Sequence, residues 1–278
     1  MSIKDILVHV DSTSASRGRL KLAVGLAQRF GARITGLHVI PEPDVPPYFK
    51  PSVVEHIAEI YAENAREAAG LAEALFREEA KNAGAAIAWE CVAGDISEII
   101  AERGRFADLV VLGQFDTENP PAISAFLLPA KVVFGTATPI LVVPNGLSSY
   151  EIGSHILLSW DGSREAARAI RDAMPLLHAA SRVTLLALDP ARQGHLHDGI
   201  RTSELAAHLG GHGIQVEAKE LSAQGKSVTE ALLAQAAGLG VDLLVMGAYG
   251  HSRVLEFVFG GTTQDLLERT TIPVLMSR

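Results

Sequence analysis

Residues 5–13 read Asp5-Ile6-Leu7-Val8-His9-Val10-Asp11-Ser12-Thr13, and 150 positions later the chain reads His155-Ile156-Leu157-Leu158-Ser159-Trp160-Asp161-Gly162-Ser163. A second pair, Ala107-Asp108-Leu109-Val110-Val111-Leu112-Gly113 and Val241-Asp242-Leu243-Leu244-Val245-Met246-Gly247, is related by an offset of 134. That offset continues without a gap from Thr138-Pro139-Ile140-Leu141-Val142 to Ile272-Pro273-Val274-Leu275-Met276. Shared order and register at both ends mean that one unit is written twice, the second copy being shorter in its middle. The turn-rich stretch Asn145-Gly146-Leu147-Ser148-Ser149, just after Pro144, is the expected boundary. The expected domains are therefore 1–146 and 147–278.

Each copy alternates short apolar runs with longer amphipathic ones. In the first, strands are expected at 3–10, 33–40, 86–92, 109–112 and 140–143. Helices are expected at 14–30, 53–81, after Asp95, and at 122–134, with Gly31 closing the first of them. Val54, Ile57, Tyr61, Ala65, Ala68, Ala72 and Leu75 form one apolar stripe on the long helix, as if facing a sheet. The second copy gives strands at 156–160, 183–188, 215–221, 243–246 and 274–277. Continuous apolar strands separated by helices indicate an α/β fold of two five-stranded parallel sheets, with helices on both faces.

Composition narrows the function classes. A chain of 278 residues suits two domains at ~100–200 residues each. With 48% hydrophobic and 20% charged residues it has material for a core, which rules out global disorder. A net charge of −8 and 5% aromatic residues argue against nucleic-acid binding, which needs a basic footprint. The single Cys91 falls in an expected strand and reads as a small buried hydrophobe. No apolar run approaches the ~20 residues of a membrane span. The N-terminus enters a strand with no room for a signal peptide, so the expected location is cytoplasmic.

Ligands of open α/β sheets bind beyond the carboxyl ends of the strands. After the fourth strand of copy two stands Gly247-Ala248-Tyr249-Gly250-His251-Ser252-Arg253, and then Gly260-Gly261-Thr262-Thr263 opens a helix. Phosphates need bare backbone N–H groups and a helix N-terminus, which Gly260 and Gly261 would supply. Thr262 and Thr263 would add hydroxyls or cap the helix, and His251 and Arg253 are candidates for phosphate contacts. Asp161, in Asp161-Gly162-Ser163, ends the first strand on the same edge, where its carboxylate would accept hydrogen bonds from a ribose or adenine. Leu188 and Met246 end two strands expected to be neighbours and would form an apolar slot for a base.

These features together resemble the universal stress protein family, and the full chain resembles its tandem-domain members. The resemblance implies a strand order of 3-2-1-4-5 and, in the nucleotide-binding branch, ATP or a related adenine nucleotide, with Mg2+ as the ion accompanying the phosphates. It implies that Asp161 and the backbone at Leu188 contact adenine or ribose, and that Met246 and Gly247 line the pocket. Gly250, Gly260, Gly261 and Thr262 would hold the phosphates. The family usually has Ser or Thr where this chain has Gly261, which removes one hydroxyl and keeps the N–H.

Applied to copy one, the offset of 134 replaces Gly250 by Asp116, Gly260 by Phe126, Gly261 by Leu127 and Thr263 by Pro129. Copy one is expected not to bind ATP in this mode, and to serve a structural role or present a different pocket. Gln224-Gly225-Lys226-Ser227 echoes a P-loop, but the required first glycine is Glu220, so a helix start is the preferred reading. His195, His197, His208 and His212 read as a solvated face ahead of metal ligands. The leading functional expectation is a nucleotide-dependent stress or signalling protein. A slow ATPase or adenylating enzyme, and a protein-interaction scaffold without nucleotide, are the alternatives. The final strands of the two copies are expected to be edges that pair with each other, giving an intra-chain pseudo-dimer, or with another chain, giving a homodimer.

Overall fold

The computed structural model describes residues 2–42, 51–81, 83–114, 128–147, 149–188, 202–223, 225–249 and 261–278. Their first half runs β1 (Asp5–His9), α1 (Ala15–Phe30), β2 (Arg33–Ile40), α2 (Pro51–Ala80), β3 (Ile87–Ala93), α3 (Ile96–Gly104), β4 (Leu109–Gly113), α4 (Leu128–Gly135) and β5 (Ile140–Val143). The second runs β6 (His155–Ser159), α5 (Arg164–Asp172), α6 (Met174–His178), β7 (Arg182–Leu188), α7 (Thr202–Gly211), β8 (Glu217–Leu221), α8 (Val228–Leu239), β9 (Leu243–Gly247), α9 (Thr262–Arg269) and β10 (Val274–Ser277).

Within each half the strands are parallel and ordered 3-2-1-4-5. The halves meet at their last strands. β5 and β10 pair antiparallel, Val142 opposite Val274 and Ile140 opposite Met276, which makes one ten-stranded sheet. Both strands are buried and apolar but for Ser277, so leaving either as an open edge would expose a ladder and an apolar face together. Side-chain alternation then divides the core. β1 sends Ile6 and Val8 into one apolar cluster and Leu7 into the other, and both clusters draw residues from both halves.

The helices begin and end where local chemistry directs. Gly31 closes α1 in the left-handed region at φ 60°. Asp95 caps α3 by accepting from the backbone N–H groups of Ser97 and Glu98. Ser227 caps α8 in a reciprocal box with Glu230, so Gln224-Gly225-Lys226-Ser227 ends in a helix start, as preferred from the sequence.

Two expectations are corrected. Cys91 is exposed, because β3 is the outermost strand of its half and its residues are at most half-buried. Residual burial, and then Glu73, push its thiol pKa up, away from the reactive thiolate. Of the described stripe on α2, Ala72 is buried in the core and Leu75 packs against it partly buried, with Phe76 and Ala80 buried beyond them. Tyr61, Ala65 and Ala68 instead stand over a cavity, described below.

Side chains also tie the halves together. Gln114, just after β4, donates its amide N–H groups to the carbonyls of Leu267, Glu268 and Thr270 at the end of α9, at 2.8, 3.1 and 3.1 Å. Its own oxygen accepts from Asn145 N at 3.0 Å. Helix-terminal carbonyls have no intrahelical partner, so Gln114 serves as a C-terminal cap supplied by the other half. Arg29 reaches the carbonyls of Ile152 and Ala179, and Arg168 that of Ala137. We expect Gln114→Ala to cost about 1–2 kcal/mol, by leaving partly buried carbonyls unsatisfied. Urea unfolding would show a lower midpoint at unchanged slope.

Candidate functional site

In the second half, β6 delivers Asp161 to the carboxyl edge. Gly162 takes φ 76°, a conformation that glycine adopts freely, and this folds the chain back at once. The Asp161 carboxylate accepts from Ser163 N at 2.9 Å and Ser163 Oγ at 2.6 Å. Ser163 in turn caps α5 by accepting from Ala166 N. Asp161 is thus held in a fixed turn at the head of a helix.

β9 ends beside it at Gly247, where a Cβ would lie 2.4 Å from Ala166 N. The glycine is therefore required for β9 to pack against the first turn of α5. Leu188 and Met246 are both buried, at the ends of β7 and β9. They are not neighbours as expected: β6 lies between them. Both belong to the same apolar cluster, so they flank the Asp161 strand on one face of the sheet.

The chain leaves β9 through Tyr249, which holds a left-handed φ of 58°, unusual for a bulky residue. Tyr249 N donates to Thr263 Oγ1 at 3.4 Å. The Tyr249 ring packs on Phe134 of α4, with centroids 5.0 Å apart, and Arg278 stacks on that phenylalanine. A cross-half aromatic contact therefore buttresses the entry to the glycine loop, and burial pushes the Tyr249 phenol up to about 12. Gly250, His251, Arg253 and Gly260 lie outside the described residues. Gly261 is the N-cap of α9 and makes no side-chain cap. A Cβ on it would meet nothing within 4 Å among the described residues. Thr262 and Thr263 form the first turn of α9, so three successive backbone N–H groups converge on the carboxyl edge. Thr263 is buried, and its hydroxyl holds the Tyr249 turn. An open helix N-terminus, a fixed carboxylate and two flanking apolar side chains suit a ligand with an anionic end and a flat, partly apolar body. These residues fit an adenine nucleotide.

The corresponding edge of the first half is built differently. Asp11 makes the same turn, accepting from Thr13 N at 2.9 Å and from the Thr13 hydroxyl. Its second oxygen is taken by Arg19 Nη2 at 2.8 Å. The guanidinium covers Gly113, its Nη1 lying 2.0 Å from where a Cβ would stand. Pro129, in the first turn of α4, has no N–H to offer. Asp116, Phe126 and Leu127 lie outside the described residues. Sequence reading missed Arg19, His9 and His38, although the offset of 150 places them opposite Ala169, Ser159 and Leu188. A charged or polar residue opposite a small or apolar one at a core position was the available signal.

His208 and His212 pack edge to face at 4.9 Å, while His195 and His197 lie outside the described residues. Among the described residues no group of three or more His, Cys, Asp or Glu is arranged to hold a metal. None of their helices is long and apolar enough to cross a membrane.

The sequence model of the universal stress protein family matches residues 2–143 and again residues 154–278. A universal stress protein from Synechocystis is 27% identical over 154 residues, covering 53% of this chain and 50% of its own. This chain thus spans about half the length of that curated relative. The crystal structure of a universal stress protein from Archaeoglobus fulgidus superposes over 100% of this chain and 97% of its own, with a TM-score of 0.71 at 17% identity. A protein of unknown function from Pseudomonas aeruginosa superposes over 99% and 92%, with a TM-score of 0.57 at 16% identity.

Proposed function

Since the chain belongs to the universal stress protein family, its two halves each matching the family model, we propose that it binds one adenine nucleotide, ATP or a close relative, at the carboxyl edge of the second half. The start of α9 at Gly261, which has no side-chain cap and meets no obstruction among the described residues, carries this reading. It offers backbone donors to an anion beside a fixed carboxylate, in a chain whose net charge of −8 would otherwise repel one. Asp161 and the backbone at Leu188 take the adenine or ribose, and Met246 and Gly247 wall the pocket. Gly250, Gly260, Gly261 and Thr262 hold the phosphates, with His251 and Arg253 beside them and Mg2+ as the accompanying ion. Thr263 steadies the loop from behind.

The role we assign is nucleotide-dependent stress response or signalling, by binding ahead of fast turnover. The first half, 1–146, supports the second, 147–278, through the shared sheet and the Gln114 and Phe134 contacts. Isothermal titration of the full chain with Mg-ATP tests this. One site per chain is expected, and Gly260→Phe, which copies the first half, should abolish it while leaving the circular dichroism spectrum unchanged. Two equivalent sites, or binding that survives Gly260→Phe, would overturn the assignment. ADP or pyrophosphate accumulating in the titrated sample would shift the reading to a slow ATPase or an adenylating enzyme.

A further inference from the structure

We propose that the first half binds a small uncharged organic molecule in the cavity between the middle of α2 and the carboxyl ends of β1, β2 and β4: a molecule apolar along its body, with one end that both accepts and donates hydrogen bonds. The cavity has a volume of about 410 Å³, within the range of small-molecule sites. Its upper wall is α2, through Tyr61, Ala65 and Ala68, and its sides include Ile40, Ile96 and Leu128. The Tyr61 hydroxyl donates to Pro41 O at 2.7 Å, which ties the helix to the chain leaving β2 over the cavity. Two alanines where α2 faces the sheet leave space between the described residues. Larger residues there would close it, as Phe76 does further along the same helix.

The floor is polar and sets the chemistry. Asp11 and Arg19 are the charged side chains among the described lining residues, and they neutralise one another at 2.8 Å. Arg19 is 4% exposed, and its Nε has no hydrogen-bond partner among the described residues. A buried guanidinium N–H without a partner is costly, which marks this floor as incompletely satisfied. His38 Nδ1 lies 2.8 Å from Val10 O, which can only accept, so Nδ1 carries the proton and in the neutral ring Nε2 is an acceptor. His9 is held uncharged near neutral pH, first by burial and then by the Arg19 charge.

Among the described residues the floor therefore pairs its two charged side chains with each other and otherwise presents neutral donors and acceptors, Asn64 and Asn145 among them. An ionic ligand would bring an uncompensated charge into a largely apolar space. A polyphosphate is disfavoured further, because Pro129 in the first turn of α4 has no N–H to offer it. An amide or alcohol on a short hydrocarbon body meets both requirements. This site is separate from the nucleotide site of the second half, and its test does not depend on that reading.

Three probes with one body and different charge decide the matter: hexanamide, hexanoate and hexylammonium. Each is titrated into the full chain at pH 7.5, while the imidazole resonances of His9 and His38 are followed by NMR. Hexanamide should bind saturably at one site and shift both histidines. The charged probes should bind at least about tenfold more weakly. Ala68→Phe, on the half-buried face of α2, should remove hexanamide binding and leave Mg-ATP titration as in the wild type. Absence of saturable hexanamide binding would overturn the proposal, as would equal or tighter binding of either ion, or displacement of hexanamide by ATP. If Ala68→Phe fails to fold, the histidine shifts in the wild-type chain decide alone.

Discussion

Gly247→Ala should destabilise the chain by about 2–3 kcal/mol, although it adds a single methyl group. The expected cost is steric. The new Cβ would sit 2.4 Å from Ala166 N, 2.7 Å from Glu165 C and 3.0 Å from Ala166 Cα, all of them backbone atoms in the first turn of α5. A side chain can rotate aside, but a capped helix start cannot. Ser163 and Asp161 hold that start by three hydrogen bonds, so relief requires moving the Asp161 turn itself. The variant should therefore lose nucleotide affinity together with stability.

The matching position in the first half makes the contrast. At Gly113 the obstruction is the far end of Arg19, a flexible side chain, so Gly113→Ala should cost less and act by pushing the guanidinium off Asp11. Gly261→Ala is the control. Its φ of −83° suits any residue and a Cβ there would meet no described atom within 4 Å, so its stability should stay within about 0.5 kcal/mol of wild type. Urea denaturation of the three variants measures this. A Gly247→Ala midpoint equal to that of Gly261→Ala would mean that α5 can shift, and that the close approach is not a constraint.

How much of this was legible in the sequence depended on how each element is held. β2, β5 and β10 run as the apolar pattern predicted, residue for residue, because most of their positions are buried and a slipped register would move apolar side chains out of the core. β8 begins at Glu217, two residues later than expected, since Glu217, Ala218 and Glu220 are exposed and hold their register through backbone pairing with β7. The pairing of β5 with β10 could be anticipated from two strands with apolar faces and no further partner in sequence. The misplaced burial of Cys91 has the same origin. A run such as Ile87–Ala93 looks like an interior strand by its pattern, and it is the strand order, already implied by the family resemblance, that places β3 at an edge. In the second half, the turn at Asp161 and the glycine at 247 were legible because their chemistry is local. The first-half cavity was not, because His9, His38 and Arg19 lie on two strands and a helix that only the fold brings together.

That cluster also gives the chain a specific sensitivity to acid. His9 is pushed from 6.5 down to about 4 by burial and then by Arg19, against a smaller opposing pull from Asp11. Between those two pH values the unfolded chain binds a proton that the folded chain refuses, so stability must fall as pH is lowered. The contribution is intact above pH 6.5, is lost progressively down to about pH 4, and amounts to about 3 kcal/mol at most. Asp11 acts in a different window. Burial pushes its carboxyl up, but Arg19, His9 and the hydrogen bonds from Thr13 and Arg19 outweigh this, so its pKa ends below the ordinary value. Its contribution is therefore present above pH 3.8 and lost only below it, outside the range where His9 titrates. His9→Leu removes the titrating group while keeping an apolar fit at the end of β1. The variant's stability should then vary less between pH 7.5 and 4.5 than that of the wild type, whatever its absolute value. Urea midpoints across that range provide the comparison. If the two profiles run parallel, His9 takes up its proton in the folded chain as readily as in the unfolded one, and the floor of the first-half cavity is not a dry, neutral surface.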